Sequence, residues 1–106
     1  MKFKHKGVKL ELWQGRYHNG HIAIAVADPI NKVLLAALTV NTLDFDFPAD
    51  ELAINAWDDN EEIADLCFQT GVFEDTGKRA ENGSVTVEFW KLKEPYTLNI
   101  SPKIKD

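Results

Sequence analysis

A single cysteine, Cys67, occurs in the 106 residues, so no disulfide framework can staple the fold within one chain. Long hydrophobic runs are also missing. The longest, residues 22–27 and 33–38, fall far short of the roughly 20 apolar residues that a membrane-spanning helix needs. The start of the chain carries Lys2, Lys4 and Lys6 but has no apolar segment behind them, which speaks against a secretory signal and gives a cytoplasmic expectation. No phosphate-binding glycine loop, dinucleotide fingerprint or nucleophile elbow is present. The sequence therefore predicts no enzyme, no catalytic residue and no cofactor.

Basic residues are absent from one long stretch. Between Val33 and Gly77 there is no Lys or Arg, while eleven acids fall there: Asp44, Asp46, Asp50, Glu51, Asp58, Asp59, Glu61, Glu62, Asp65, Glu74 and Asp75. The flanks are basic, with six Lys or Arg against two acids in residues 1–32 and six against four in residues 78–106. The formal net charge is −5. Such a balance opposes nucleic-acid binding as the main role, because phosphate recognition needs a basic face.

What is present suffices for one small domain, since a chain of this length buries about 65% of its unfolded surface. Residues 8–13 alternate in the strand period, and residues 21–26 form a second, more apolar strand. Between them Asn19 and Gly20 give the strongest short hairpin signal, a type I′ turn with both central residues at positive φ. That register would set His18 opposite His21. Two histidines alone do not define a metal site, so no metal is assigned. Asp28, Pro29, Ile30 and Asn31 mark a turn, and residues 33–40 complete an N-terminal meander. Leu52, Ala53 and Ile54 read as a short strand, and residues 74–77 as a turn. Asn82 and Gly83 mark a tight turn before a strand over residues 84–92.

The helix signal lies in the acidic stretch. Asp58 and Asp59 are N-cap residue types, with Glu61 and Glu62 three places on as in a capping box. Ile63, Leu66 and Cys67 then follow the helical spacing, and Gly71 suits the left-handed residue after the helix. This predicts an amphipathic helix of about three turns. Cys67 falls on its apolar side and should behave as a small hydrophobe. The fold class expected is α+β: a mainly antiparallel sheet, from the meander and the C-terminal strands, packed on one amphipathic helix. The single domain spans 1–106, with a basic N-terminal arm and a frayed C-terminal tail.

Capping accounts for four of the eleven acids. The remainder suggest an acidic binding surface made of Asp44, Asp46, Asp50, Glu51, Trp57, Asp58, Asp59, Glu61 and Glu62, whose partner would be a protein with a basic surface. An alternative is an acidic decoy of nucleic acid, centred on Asp44, Asp46, Asp50 and Glu51, that inhibits a host-defence or DNA-processing enzyme. A further alternative is weak nucleic-acid binding by the basic arm, with Trp13 or Tyr17 stacking on bases.

Several residues also carry a resemblance: Thr39, Val40 and Asn41; Pro48; the run Ala56, Trp57, Asp58, Asp59, Asn60, Glu61, Glu62; Leu66; Gly71 and Val72; and the run Asp75, Thr76, Gly77, Lys78, Arg79. With the final strand, these resemble a family of small uncharacterised proteins of bacterial phages, plasmids and conjugative elements. In that family a Lys commonly precedes the aromatic and a Gly follows the Asn-Glu pair, where this chain has Ala56 and Glu62. The resemblance implies a mobile-element setting and a small α+β domain. It implies no catalytic or ligand residues.

Overall fold

The computed structural model describes residues 2–41 and 47–93. Asp44, Asp46 and the expected C-terminal tail lie outside the described residues. Four strands form an antiparallel meander in the order β1 (Lys2–His5), β2 (Val8–Arg16), β3 (Ile22–Asp28), β4 (Val33–Ala37). A second antiparallel sheet has the order β5 (Leu52–Ile54), β7 (Val85–Leu92), β6 (Phe73–Asn82). One turn of 3₁₀ helix (Asp58–Asn60) and the helix α1 (Glu61–Phe68) lie between β5 and β6. The α+β, sheet-dominated class is as expected, and among the described residues no helix is long and apolar enough to cross a membrane.

Two strands escaped the sequence pattern. Lys2–His5, read as a basic arm, is β1 and pairs with β2 from Lys2 opposite Glu11 to His5 opposite Val8. Its two-residue connection, Lys6 (φ +51°) and Gly7 (φ +79°), has both residues at positive φ, the type I′ signature. Residues 74–77, read as a turn, lie inside β6, where the ladder with β7 is interrupted between Asp75 and Arg79. The chain bulges there, with Gly77 N–H bonded to Asp75 Oδ1.

The turn at Asn19 and Gly20 differs from expectation. Only Gly20 has positive φ. Gly20 N–H donates to the Tyr17 carbonyl and Tyr17 N–H to the His21 carbonyl, both at 2.9 Å. This is a three-residue loop closed by a left-handed glycine. Asn19 Oδ1 accepts the His21 N–H at 3.2 Å, a local bond that a type I′ register would not need. His18 is consequently exposed at the tip, while His21 is buried. Its ring stacks on Phe47 at 3.9 Å, and Nε2–H donates to the Phe47 carbonyl at 2.9 Å. The two histidines do not face each other.

The main core lies between the sheets. Leu12, Ile24 and Val26 meet Leu52, Ile54, Phe73 and Trp90, with Ala64 and Cys67 of α1 in the same cluster. Burial pushes the Cys67 thiol up to about 12, so it stays protonated and apolar in behaviour. The back of the second sheet is also covered: Ala53, Val87 and Phe89 pack with Val40, Phe47, Trp57 and Ala80. Alternation along β7 thus serves two cores, Val87 and Phe89 on one side, Trp90 and Leu92 on the other.

The helix is shorter than expected, eight residues, or about two turns. No side-chain cap bond forms at its start, and Asp58 instead takes φ +52°. Asn60 directs its amide into the fold, donating to the carbonyls of Asn55 (2.6 Å) and Ala37 (3.0 Å). That tether replaces the capping box. Glu61 and Glu62 still occupy the first turn, where the helix dipole favours acids. Gly71 has φ +80° as expected, and Val72 is fully buried.

Thr39 joins the sheets. Its hydroxyl accepts the Ile24 N–H at 3.0 Å and lies 2.9 Å from the Tyr17 hydroxyl, and its backbone bridges to Ile54. Thr39→Val keeps the volume but strands a buried N–H. It should cost about 1–3 kcal/mol, against about 0.5–1.5 for Tyr17→Phe, read as a lower midpoint in urea denaturation. A Thr39→Val midpoint equal to that of the parent protein would remove this junction from the account.

Candidate cation-binding cleft

The acidic residues singled out in the sequence do not form one surface. Asp50 is exposed and lies 3.5 Å from Lys91 Nζ. Glu51 is only 3% exposed, and its Oε2 accepts from Lys78 Nζ at 2.7 Å. Glu62 pairs loosely with Lys6 at 3.8 Å. Trp57 is half-buried against the back of the second sheet, so packing, more than partner contact, accounts for it. Asp58 is exposed beside it, and Asp59 lies in the 3₁₀ turn. Much of the negative charge is therefore met from within, by lysines of the basic flanks.

Among the described members of that set, Glu61 alone lines a cleft of about 320 Å³ between α1 and the β6–β7 ladder. It is lined by Glu61, Asp65, Phe68, Asp75, Glu88 and Trp90, among others. The helix supplies Glu61 and Asp65 one turn apart. The sheet supplies the others by register: Asp75 stands opposite Trp90, and Glu88 opposite Arg79. Phe68 lies edge-on to Trp90 at 5.0 Å. Trp90 is almost wholly buried and donates its indole N–H to Glu88 Oε1 at 3.2 Å.

Arg79 sits beside the cleft and holds the sheet carboxylates. Its guanidinium donates to Asp75 through both terminal nitrogens, at 2.9 and 2.7 Å, and lies 3.5 Å from Glu88. This forked bond draws the Asp75 carboxyl below the usual 3.8 and raises Arg79 above its ordinary value. On the helix side, neither the Glu61 nor the Asp65 carboxylate has a hydrogen-bond or ion-pair partner among the described residues. Like charges four residues apart on a helix cost a few tenths of a kcal/mol, a cost a cation in the cleft would relieve. Four carboxylates and two aromatic rings thus surround the space, with one guanidinium at its side.

Sequence reading missed Asp65, Phe68, Asp75, Glu88 and Trp90 as members of one site. Their convergence depends on the β6–β7 register across a bulge, which the local pattern does not encode. No protein-family model matches the chain, and no curated protein or solved structure matches it.

Because the folded Asp75 carboxyl titrates below its unfolded value, its contribution to stability is present above about pH 4 and is lost as pH falls through the folded value. The pair is partly exposed, so the contribution is under about 1 kcal/mol. Asp75→Asn should lower stability slightly at pH 7 and leave it little changed at pH 2.5. Urea midpoints at the two pH values check this, and an equal loss at both would refute the ion-pair origin.

Proposed function

We propose that this protein is a non-enzymatic accessory factor that binds a protein partner with a basic surface, seating an arginine or lysine side chain of that partner in the cleft between α1 and the β6–β7 ladder. One observation carries the reading: the Glu61 and Asp65 carboxylates, without a partner among the described residues, line a cleft that Phe68, Trp90, Asp75 and Glu88 also line. Carboxylates beside aromatic rings suit a guanidinium or ammonium group, by charge-assisted bonds and by ring–cation attraction. The resemblance to mobile-element proteins supplies a setting in which small accessory factors act on other macromolecules.

The decoy reading draws on Asp44, Asp46, Asp50 and Glu51. Lys91 and Lys78 engage the last two, which leaves it less support. The arm reading loses ground because Lys2–His5 is built into a sheet.

Titration of the ¹⁵N-labelled chain with a short peptide rich in arginine and lysine tests the proposal. The indole N–H signal of Trp90 should shift saturably, and added salt should weaken the binding. The double variant Glu61→Gln, Asp65→Asn should bind roughly 30-fold more weakly, each lost charged contact being worth about 1 kcal/mol. Undiminished binding by the double variant would rule the cleft out.

A further inference from the structure

The sequence holds two Asn-Gly pairs, Asn19-Gly20 and Asn82-Gly83. Such a pair carries a latent reaction: the glycine nitrogen, with no Cβ beside it to hinder approach, can attack the side-chain amide carbon of the asparagine before it. Both pairs lie at hairpin turns, and a Cβ built on either glycine would meet nothing within 4 Å, so neither turn lacks room for ring closure. Exposure alone would favour reaction at Asn19, which is exposed, over Asn82, which is half-buried. Hydrogen bonding reverses that order.

At the β2–β3 turn the reacting groups are all held. Asn19 Nδ2 donates to Asn41 Oδ1 at 3.0 Å, and Asn19 Oδ1 accepts the His21 N–H at 3.2 Å. The Gly20 N–H, whose nitrogen would be the nucleophile, donates to the Tyr17 carbonyl at 2.9 Å. At the β6–β7 turn these restraints are missing. Asn82 closes the ladder opposite Val85, and Gly83 (φ +65°) is the first of the two turn residues, the glycine position of a type II′ turn. Among the described residues neither the Asn82 side-chain amide nor the Gly83 N–H has a hydrogen bond. Gly83 and Ser84 are exposed, so solvent reaches the nitrogen and the amide can rotate onto it.

We propose that Asn82 is a site of spontaneous deamidation in the folded protein, and that the fold protects Asn19 from the same reaction. The Gly83 nitrogen gives its proton to solvent and bonds to Asn82 Cγ. The side-chain nitrogen takes up a proton and leaves as ammonia, which closes a cyclic imide. Water then adds to either imide carbonyl and the ring opens. Breaking the new Cγ–N bond gives aspartate, with the original backbone restored. Breaking the bond from the backbone carbonyl to the Gly83 nitrogen gives isoaspartate, with the chain running through Cγ. Water is the sole co-reactant, and nothing is oxidised or reduced. Either product adds one negative charge to the formal −5. Aspartate leaves the ladder as it was, whereas isoaspartate lengthens the backbone by an atom and loosens the rung between residues 82 and 85. The pairs Asn82–Val85, Glu81–Thr86 and Ala80–Val87 come before Arg79 opposite Glu88, so the change is confined to the hairpin tip and leaves the cleft wall standing.

Peptide mapping by mass spectrometry, on the full chain incubated in mildly alkaline buffer, tests this. Tryptic cleavage puts Asn19 in residues 17–32 and Asn82 in residues 80–91, so the two conversions are read separately. In the folded chain Asn82 should convert at least roughly 10-fold faster than Asn19, whose reaction waits on the opening of its hydrogen bonds. Both aspartate and isoaspartate should form at position 82. In concentrated urea the Asn19 bonds are gone, so Asn19 should speed up and the gap should close. Asn41→Ala, which removes the acceptor of the Asn19 amide, should speed conversion of Asn19 in the folded chain and leave Asn82 unchanged. Four results would each overturn the proposal: Asn19 converting as fast as Asn82 in the folded chain, Asn82 staying intact there while it reacts in urea, a gap that persists unchanged in urea, or an Asn41→Ala chain in which Asn19 reacts no faster.

Discussion

Residues 38–40 are the constraint on which the rest of this fold depends, because they hydrogen-bond to both sheets at once. On one side the Leu38 N–H donates to the Ile24 carbonyl at 2.9 Å, and the Thr39 hydroxyl receives the Ile24 N–H. On the other, the Val40 N–H donates to Ala53 at 3.0 Å and the Leu38 carbonyl accepts the Asn55 N–H at 2.7 Å. Polar backbone groups at the middle of an apolar core must be paired or they cost a few kcal/mol each. Here one short segment pairs them for both layers, and so fixes how the layers face each other. The helix start hangs from the same place, since Asn60 ties the carbonyls of Ala37 and Asn55 together. The position of Glu61, one residue on, therefore follows from the junction more than from helix propensity.

Separation of charge along a chain does not guarantee separation in space. Here the acidic middle is flanked in the second sheet by strands that bring in Lys78, Arg79 and Lys91. These cations meet Glu51, Asp75 and Asp50 respectively. The pairs of Asp75 and Asp50 are partly exposed and add little to stability, while Glu51 is buried at its pair with Lys78; all three cancel field. An acidic patch counted from sequence alone thus overstates the surface charge. Among the described residues, the carboxylates that no lysine or arginine reaches include Glu61 and Asp65, which line one cleft.

Local pattern disclosed those elements whose residues carry their own reason for their conformation. β2, β3, β5 and β7 alternate or run apolar, and Gly71 ends the helical region at positive φ as its chemistry predicts. The elements it did not disclose are held by partners. β1 has Phe3 among basic residues and becomes a strand because Lys6 and Gly7 turn it onto β2. β6 begins with acids and glycine and becomes a strand because β7 recruits it on both sides of a bulge. The helix start looked like a capping box, but the Asn60 tether prevailed over local capping. The cleft was the least legible part, since four of its lining residues come from Asp75, Glu88, Trp90 and Phe68, which share no sequence spacing.

That bulge has a chemical consequence. By breaking the ladder between Asp75 and Arg79, it lets a residue four places along the same strand turn back and grip the Asp75 carboxylate with both terminal nitrogens. A regular strand would carry positions 75 and 79 on one face about 13 Å apart, at 3.3 Å per residue, too far for a forked bond. The grip lowers the Asp75 carboxyl below its ordinary value, and Arg79 also lies within 3.5 Å of Glu88. The sheet wall of the cleft is thereby held by an internal cation, while on the helix wall the Glu61 and Asp65 carboxylates have no partner among the described residues. A site with one wall held by an internal cation and the other left open is suited to accept a second cation without displacing the first.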